Sequence, residues 1–188
     1  MLHTNTETII AQTKKWVTDV VVGCNFCPFA AREVKRESIF YEVLENASLE
    51  TAMESIAKAF EKLNMEPGIE TSLLILPNSF HSFNEFLQLI ELAEVLVEEE
   101  NYEGIYQVAS FHPQYLFAGT TENDASNYTN RSPYPMLHFL REESVSMAVD
   151  SHPDIDSVPE INIAFTKEKG LLYMQQLLAA CMKEPLNN

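Results

Sequence analysis

The sequence predicts an α/β fold: a single domain with a small, mainly parallel sheet flanked by helices. Three observations point there. Apolar residues recur at helical spacing in several long segments. The run TSLLILP at 71–77 is continuously apolar and ends on a proline, as expected of a central strand buried on both faces. Three strand candidates alternate with helices, which argues for parallel pairing through right-handed crossovers.

The first helix is expected over 6–22. Ile9, Ile10, Thr13, Trp16, Val17, Val20 and Val21 fall on one face, Thr4 and Glu7 have capping-box spacing, and Gly23 suits the stop. A short second helix opens at Pro28, a favoured first position, and ends near Lys35. Residues 38–44 alternate, with Ile39, Tyr41 and Val43 on one face. Leu49, Ala52, Met53, Ile56, Phe60 and Leu63 mark a helix capped by Ser48. After the central strand, Ser82 and Glu85 form a capping box for a helix that turns Phe86, Leu89, Ile90, Ala93, Leu96 and Val97 inward.

Residues 104–111 give the third strand, and 115–118 suit a short antiparallel edge strand. Ser132 and Pro133 open a helix to about Val149, the turn SHPD follows, and Ser157 with Glu160 starts the last helical stretch. Gly170 breaks that stretch before 171–182.

Composition narrows the function. The chain has 188 residues and a net charge of -16. So acidic a surface repels phosphate backbones and anionic lipid, so neither nucleic acid nor membrane is an expected partner. No apolar run approaches the roughly 20 residues of a membrane span, and the N-terminus lacks the pattern of a signal peptide. The three cysteines, Cys24, Cys27 and Cys181, suit reduced thiols in a cytoplasm. Oligomeric state is not legible.

The segment 106–135, YQVASFHPQYLFAGTTENDASNYTNRSPYP, contains about twenty residues that match neither helix nor strand. So long a loop in a compact domain is a lid, a binding surface or disordered, and its aromatic residues argue against disorder. In parallel α/β sheets, sites form beyond the carboxyl ends of the strands. Asn78 follows the second strand and His112 the third. A helix opening at Ser132 brings Asn130 and Arg131 to that edge, and a helix opening at Pro28 brings Cys27. One rim therefore gathers Cys27, Asn78, His112 and Arg131.

Each residue has two readings. Cys27 at a helix start is a candidate nucleophile, with His112 as its base; the other reading is a buried small apolar filler, the commoner use of cysteine. His112 suits a general base or metal ligand, or else a bond to a loop carbonyl. Arg131 with Asn130 suits a carboxylate or phosphate clamp, whereas a salt bridge to Glu122, Asp124 or Glu142 needs no ligand. His138, in the second turn of its expected helix, reads as structural. Cys24 and Cys27 form C-x-x-C, a redox pair or two apolar fillers. With His112 and His138 they make a zinc set of permissible ligand types but unfamiliar spacing. Gly-rich phosphate loops, G-x-S-x-G and H-E-x-x-H are missing, and no cofactor is expected.

Three motifs, GCNFCPFA, ASFHPQYLFAG and NRSPYPMLHFLRE, carry a resemblance over almost the whole chain. The chain resembles the bacterial family catalogued as domain of unknown function 1415. That family's first motif, G-x-N-x-C-P-F-A, maps onto Gly23, Asn25, Cys27, Pro28, Phe29 and Ala30 and leaves out Cys24. The SFHP and NRSPYP motifs map onto residues 110–113 and 130–135. The resemblance implies no activity, and its omission of Cys24 weighs against zinc.

Two functions follow as expectations. One is an enzyme acting on a small anionic or carbonyl-bearing metabolite, with Cys27 as nucleophile, His112 as base, and Asn78, Asn130 and Arg131 holding substrate. The other is a non-catalytic module that binds a small ligand or a protein through the same loop.

Overall fold

The computed structural model describes residues 5–151 and 157–183. The expected cap at Thr4 and the turn after Ser151 lie outside them. Helix α1, Thr6–Trp16, is capped by Asn5, whose side chain accepts from the Thr8 amide at 2.7 Å. It runs on as a π-helical stretch, Val17–Val22, with i→i+5 bonds from Gly23 to Thr18 and from Phe26 to Val21, each 2.9 Å. Gly23 is needed here for space. Its φ is -62°, but a Cβ would sit 2.3 Å from the Asp19 carbonyl oxygen.

Helix α2, Ala30–Arg36, leads into strand β1, Ile39–Val43. Helix α3, Leu49–Met65, starts at Ser48 in a reciprocal capping box with Thr51. Strand β2, Thr71–Ile75, is buried throughout, and helix α4, Phe83–Glu99, follows. Strand β3 is Tyr106–Phe111. The loop beyond it holds one 3₁₀ turn, Ala125–Thr129, and no strand at 115–118.

The segment expected to continue as a helix from Ser132 is instead strand β4, Met136–Arg141, and only then helix α5, Glu142–Ser151. The Ser132 hydroxyl caps no helix; it donates to the Tyr134 carbonyl at 2.6 Å. Strand β4 inserts between β2 and β3, antiparallel to both, while β1 and β2 run parallel. The fold is α/β, but the sheet is mixed rather than mainly parallel. Helices α6, Val158–Lys169, and α7, Leu171–Cys181, complete the chain, broken at Gly170 as expected.

The sheet separates two cores. One holds Leu74, Leu137 and Phe139 against Phe60, Phe86 and Leu89 of α3 and α4. The other holds Leu73, Ile75 and Met136 against Trp16, Val17 and Val20, with Met174 and Cys181 from α7. Strand residues two apart share a face, so the same alternation assigns every inward side chain of β3 and β4 to one core or the other. Among the described residues, no helix is long and apolar enough to cross a membrane.

Candidate functional site

The second face of the sheet floors a cavity of about 290 Å³. Gln107, Leu140, Thr71 and Ile39 form one row across all four strands, and Ala109, His138 and Leu73 form the next. Trp16, Val17 and Val21 make one wall. Cys27, Phe29 and Ala30 make another, and Val145 and Ala148 of α5 close the side. Two wall rings, Trp16 and Phe111, meet edge to face with centroids 4.9 Å apart. The surface is almost entirely apolar.

His138 stands on β4 in this floor and not on a helix. Its Nε2 lies 2.5 Å from the Thr71 hydroxyl, which donates to the Phe139 carbonyl at 2.7 Å. The ring sits deep, and such exposure as it has is toward the cavity. Burial depresses its pKa from the usual value to about 4, so the imidazole is neutral at pH 7.

The polar groups at the charged end of the cavity are mostly committed. The Glu33 carboxylate takes the Ser38 hydroxyl at 2.6 Å and pairs with Arg32. Arg141 donates to the Leu63 and Ile69 carbonyls. Glu70 is an exception: its Oε1 is sealed from solvent with no hydrogen-bond partner among the described residues.

Cys27 lines this cavity, but it does not start a helix. Helix α2 begins three residues later, and the Cys27 carbonyl accepts from the Ala30 amide in a turn. All three thiols are free. Burial raises the pKa of Cys24 and takes that of Cys181 to about 11.

His112 is on the opposite face. It is fully buried beside the rings of Phe83 and Phe86. Its Nδ1 accepts from the Gln114 amide at 2.9 Å, so Nε2 carries the hydrogen and donates to the Phe80 carbonyl at 2.9 Å. Both nitrogens are used, leaving no lone pair for a thiol or a metal. Burial lowers its pKa, as does the charge of His81, while the bond to Phe80 opposes them. The expected pairing of Cys27 with His112 is therefore not formed.

The clamp residues are elsewhere. Asn78 is exposed in the turn after β2. Asn130 ties the loop to β3, its carbonyl accepting from the His112 amide at 3.2 Å. Arg131 donates to the carbonyls of Tyr115 at 3.2 Å and Glu122 at 3.0 Å and stacks over Tyr128. It makes none of the expected salt bridges and borders a second, polar cleft of about 560 Å³, beside Glu122 and the first residues of α4. The long loop packs against α6 and α7 and is internally bonded, so beyond Phe111 it does not cover the apolar cavity.

The expected rim is thus divided. Cys27 faces the apolar cavity, Arg131 the polar cleft, His112 the other core, and Asn78 solvent. His112 and His138 cannot share a metal across the sheet. Among the described residues no group of three or more His, Cys, Asp or Glu side chains is placed to hold one. Sequence reasoning missed Thr71, Gln107, Glu70 and His138 as site residues. The available signal was the alternation of Gln107, Ala109 and Phe111 and of Met136, His138 and Leu140, which puts both sets on one face.

No curated protein and no solved structure matches the chain. A family model described as protein of unknown function (DUF1415) matches residues 8–176, and the chain belongs to that family.

Proposed function

We propose that the protein binds a small, largely apolar molecule in the cavity beneath α2 and α5. The observation that carries this reading is the cavity itself: a concave apolar surface with few polar groups is the usual form of a small-molecule site. Its size sits at the lower end of that class, so the ligand is compact. All three motifs of the family resemblance supply lining residues: Cys27, Phe29 and Ala30 from the first, Phe111 from the second, His138 and Arg141 from the third.

The enzyme reading keeps one support, since the Cys27 thiol and the His138 imidazole open on the same cavity. Against it, an imidazole with a pKa near 4 is a weak base toward a thiol, whose ordinary pKa is about 8.5. The geometry favours binding over nucleophilic catalysis. Free thiols support a reducing compartment such as the cytoplasm, and the net charge of -16 disfavours nucleic acid as partner.

Trp16 is the only tryptophan and lines the cavity. A screen of small aromatic and aliphatic fragments is therefore followed through Trp16 fluorescence, with Cys27 alkylation as a second reporter. Fragments that shift the one should protect the other. Fragments that bind yet leave both unchanged place the site elsewhere and overturn the reading.

A further inference from the structure

The His138 imidazole offers one unused lone pair to the cavity. The Thr71 hydroxyl has a single hydrogen, which goes to the Phe139 carbonyl. Its oxygen can then only accept from the imidazole, so Nε2 carries the ring hydrogen and Nδ1 carries none. Among the described residues Nδ1 has no hydrogen-bond partner. Nor is it sealed, since among the described residues the sealed and unpartnered side-chain atoms are Glu70 Oε1 and Ser72 Oγ. His138 lines the cavity, so Nδ1 opens into it.

The surroundings limit what that acceptor meets. Trp16, Phe29, Phe111 and Leu73 present rings and hydrocarbon. Arg32 and Arg141 are engaged with the Glu33 carboxylate and with backbone carbonyls. The carboxylates of Glu33 and Glu70 border the same space and disfavour an anion. A hydrocarbon leaves Nδ1 without a partner, and an ether or ketone sets an acceptor against an acceptor.

We infer that the ligand is an uncharged molecule with a compact apolar body and one O–H or N–H group, which donates to His138 Nδ1. This rests on the cavity being the ligand site. Thr71 is then a positioning residue: its hydroxyl, spent on Phe139 and His138, fixes which imidazole nitrogen is the acceptor.

The test uses three probes of one shape, p-cresol, p-xylene and p-toluate, bound to the full chain. Proton–nitrogen NMR follows the Trp16 indole N–H for occupancy and the His138 ring nitrogens for contact. In the wild-type protein p-cresol and p-xylene both move the Trp16 signal, p-cresol alone moves Nδ1, and p-toluate moves neither. In His138→Phe the ratio of p-cresol to p-xylene affinity falls by about tenfold or more, the effect of stranding a buried hydroxyl. Thr71→Val frees the ring to present either nitrogen, so the same ratio falls there without loss of the imidazole.

An Nδ1 signal unmoved by p-cresol overturns the inference, even where neither variant folds. So does a ratio unchanged within about twofold in both variants, or p-toluate binding as tightly as p-cresol. If p-xylene itself leaves Trp16 unmoved, the cavity reading fails and this inference with it. If p-xylene binds but p-cresol gains nothing from His138, only the inference fails.

Discussion

Thr71 and His138 sit on adjacent strands, and the Thr71 hydroxyl, already donating to Phe139, accepts from the imidazole. One bond thereby fixes the tautomer of a buried histidine and turns its other nitrogen toward the cavity. Beyond β3, His112 shows the contrasting case. Both of its nitrogens are spent on backbone, where they hold the loop after β3 to the turn after β2. The two histidines thus have different uses, decided by whether a lone pair is left over.

The His138 environment predicts a pH dependence of stability. Its pKa is about 4 folded and about 6.5 unfolded, so between those values the unfolded chain binds the extra proton. Stability from this residue is fully present above pH 6.5 and is lost as pH falls toward 4. The loss is on the order of 3 kcal/mol. Urea unfolding across that range should show the slope, and His138→Gln should flatten it. An imidazole that titrates near 6.5 by NMR would mean a wet site and would remove the basis for this expectation.

Thiol chemistry separates the three cysteines. Cys181 is fully buried, donates to the Leu177 carbonyl, and has its pKa pushed to about 11. Burial also raises that of Cys24. Cys27 opens on the cavity. A limiting amount of N-ethylmaleimide near neutral pH should label Cys27 first, as read by peptide mapping. Replacing His112 with Ala should leave that rate unchanged in folded protein, since His112 lies across the sheet. First labelling at Cys181, or a slower Cys27 in the His112 variant, would contradict the arrangement.

Much of the fold was legible because its local signals agreed with the tertiary outcome. Ser48 caps α3, the run at 71–75 is the buried strand, and Gly170 separates the last two helices. Strand β4 was not legible for a physical reason. Met136, Leu137, Phe139 and Leu140 put apolar residues on both faces, so the strand shows no clean polar alternation, and Ser132–Pro133 imitates a helix start. That one error turned a mixed sheet into a mainly parallel one, moved His138 onto a helix, and supported a rim that the chain does not form. Cys27 survived as a candidate because its motif is local. His112 did not, because only the fold shows that both its nitrogens are occupied.

Gly23 gives a paired test of the π-helical stretch. An added Cβ would meet the Asp19 carbonyl oxygen at 2.3 Å, and backbone cannot easily yield. Gly23→Ala should cost about 1–3 kcal/mol and, by shifting Val17 and Val21, alter Trp16 fluorescence. Gly68→Ala meets nothing within 4 Å and should be close to neutral. Equal behaviour of the two in thermal unfolding would show that Gly23 is not held for space.

Asn127 predicts how the long loop keeps its shape. It is fully buried. Its Oδ1 accepts from the Phe117 amide at 3.0 Å and from Thr120 at 2.9 Å, while Nδ2 donates to the Thr121 carbonyl at 2.8 Å. Asn127→Ala strands the Phe117 amide and the Thr121 carbonyl, while the Thr120 hydroxyl keeps the Phe117 carbonyl, and should destabilise by about 2–4 kcal/mol. Asn127→Asp keeps the accepting oxygen but sets a carboxylate against the Thr121 carbonyl in a buried position. That raises the new carboxyl's folded pKa above its unfolded value, so protonation favours the folded state. The stability gap between this variant and the wild type should therefore narrow as pH falls from 7 toward 4. A gap that stays constant or widens in urea titrations would mean that the loop relaxes to admit water, and that Asn127 is not its internal brace.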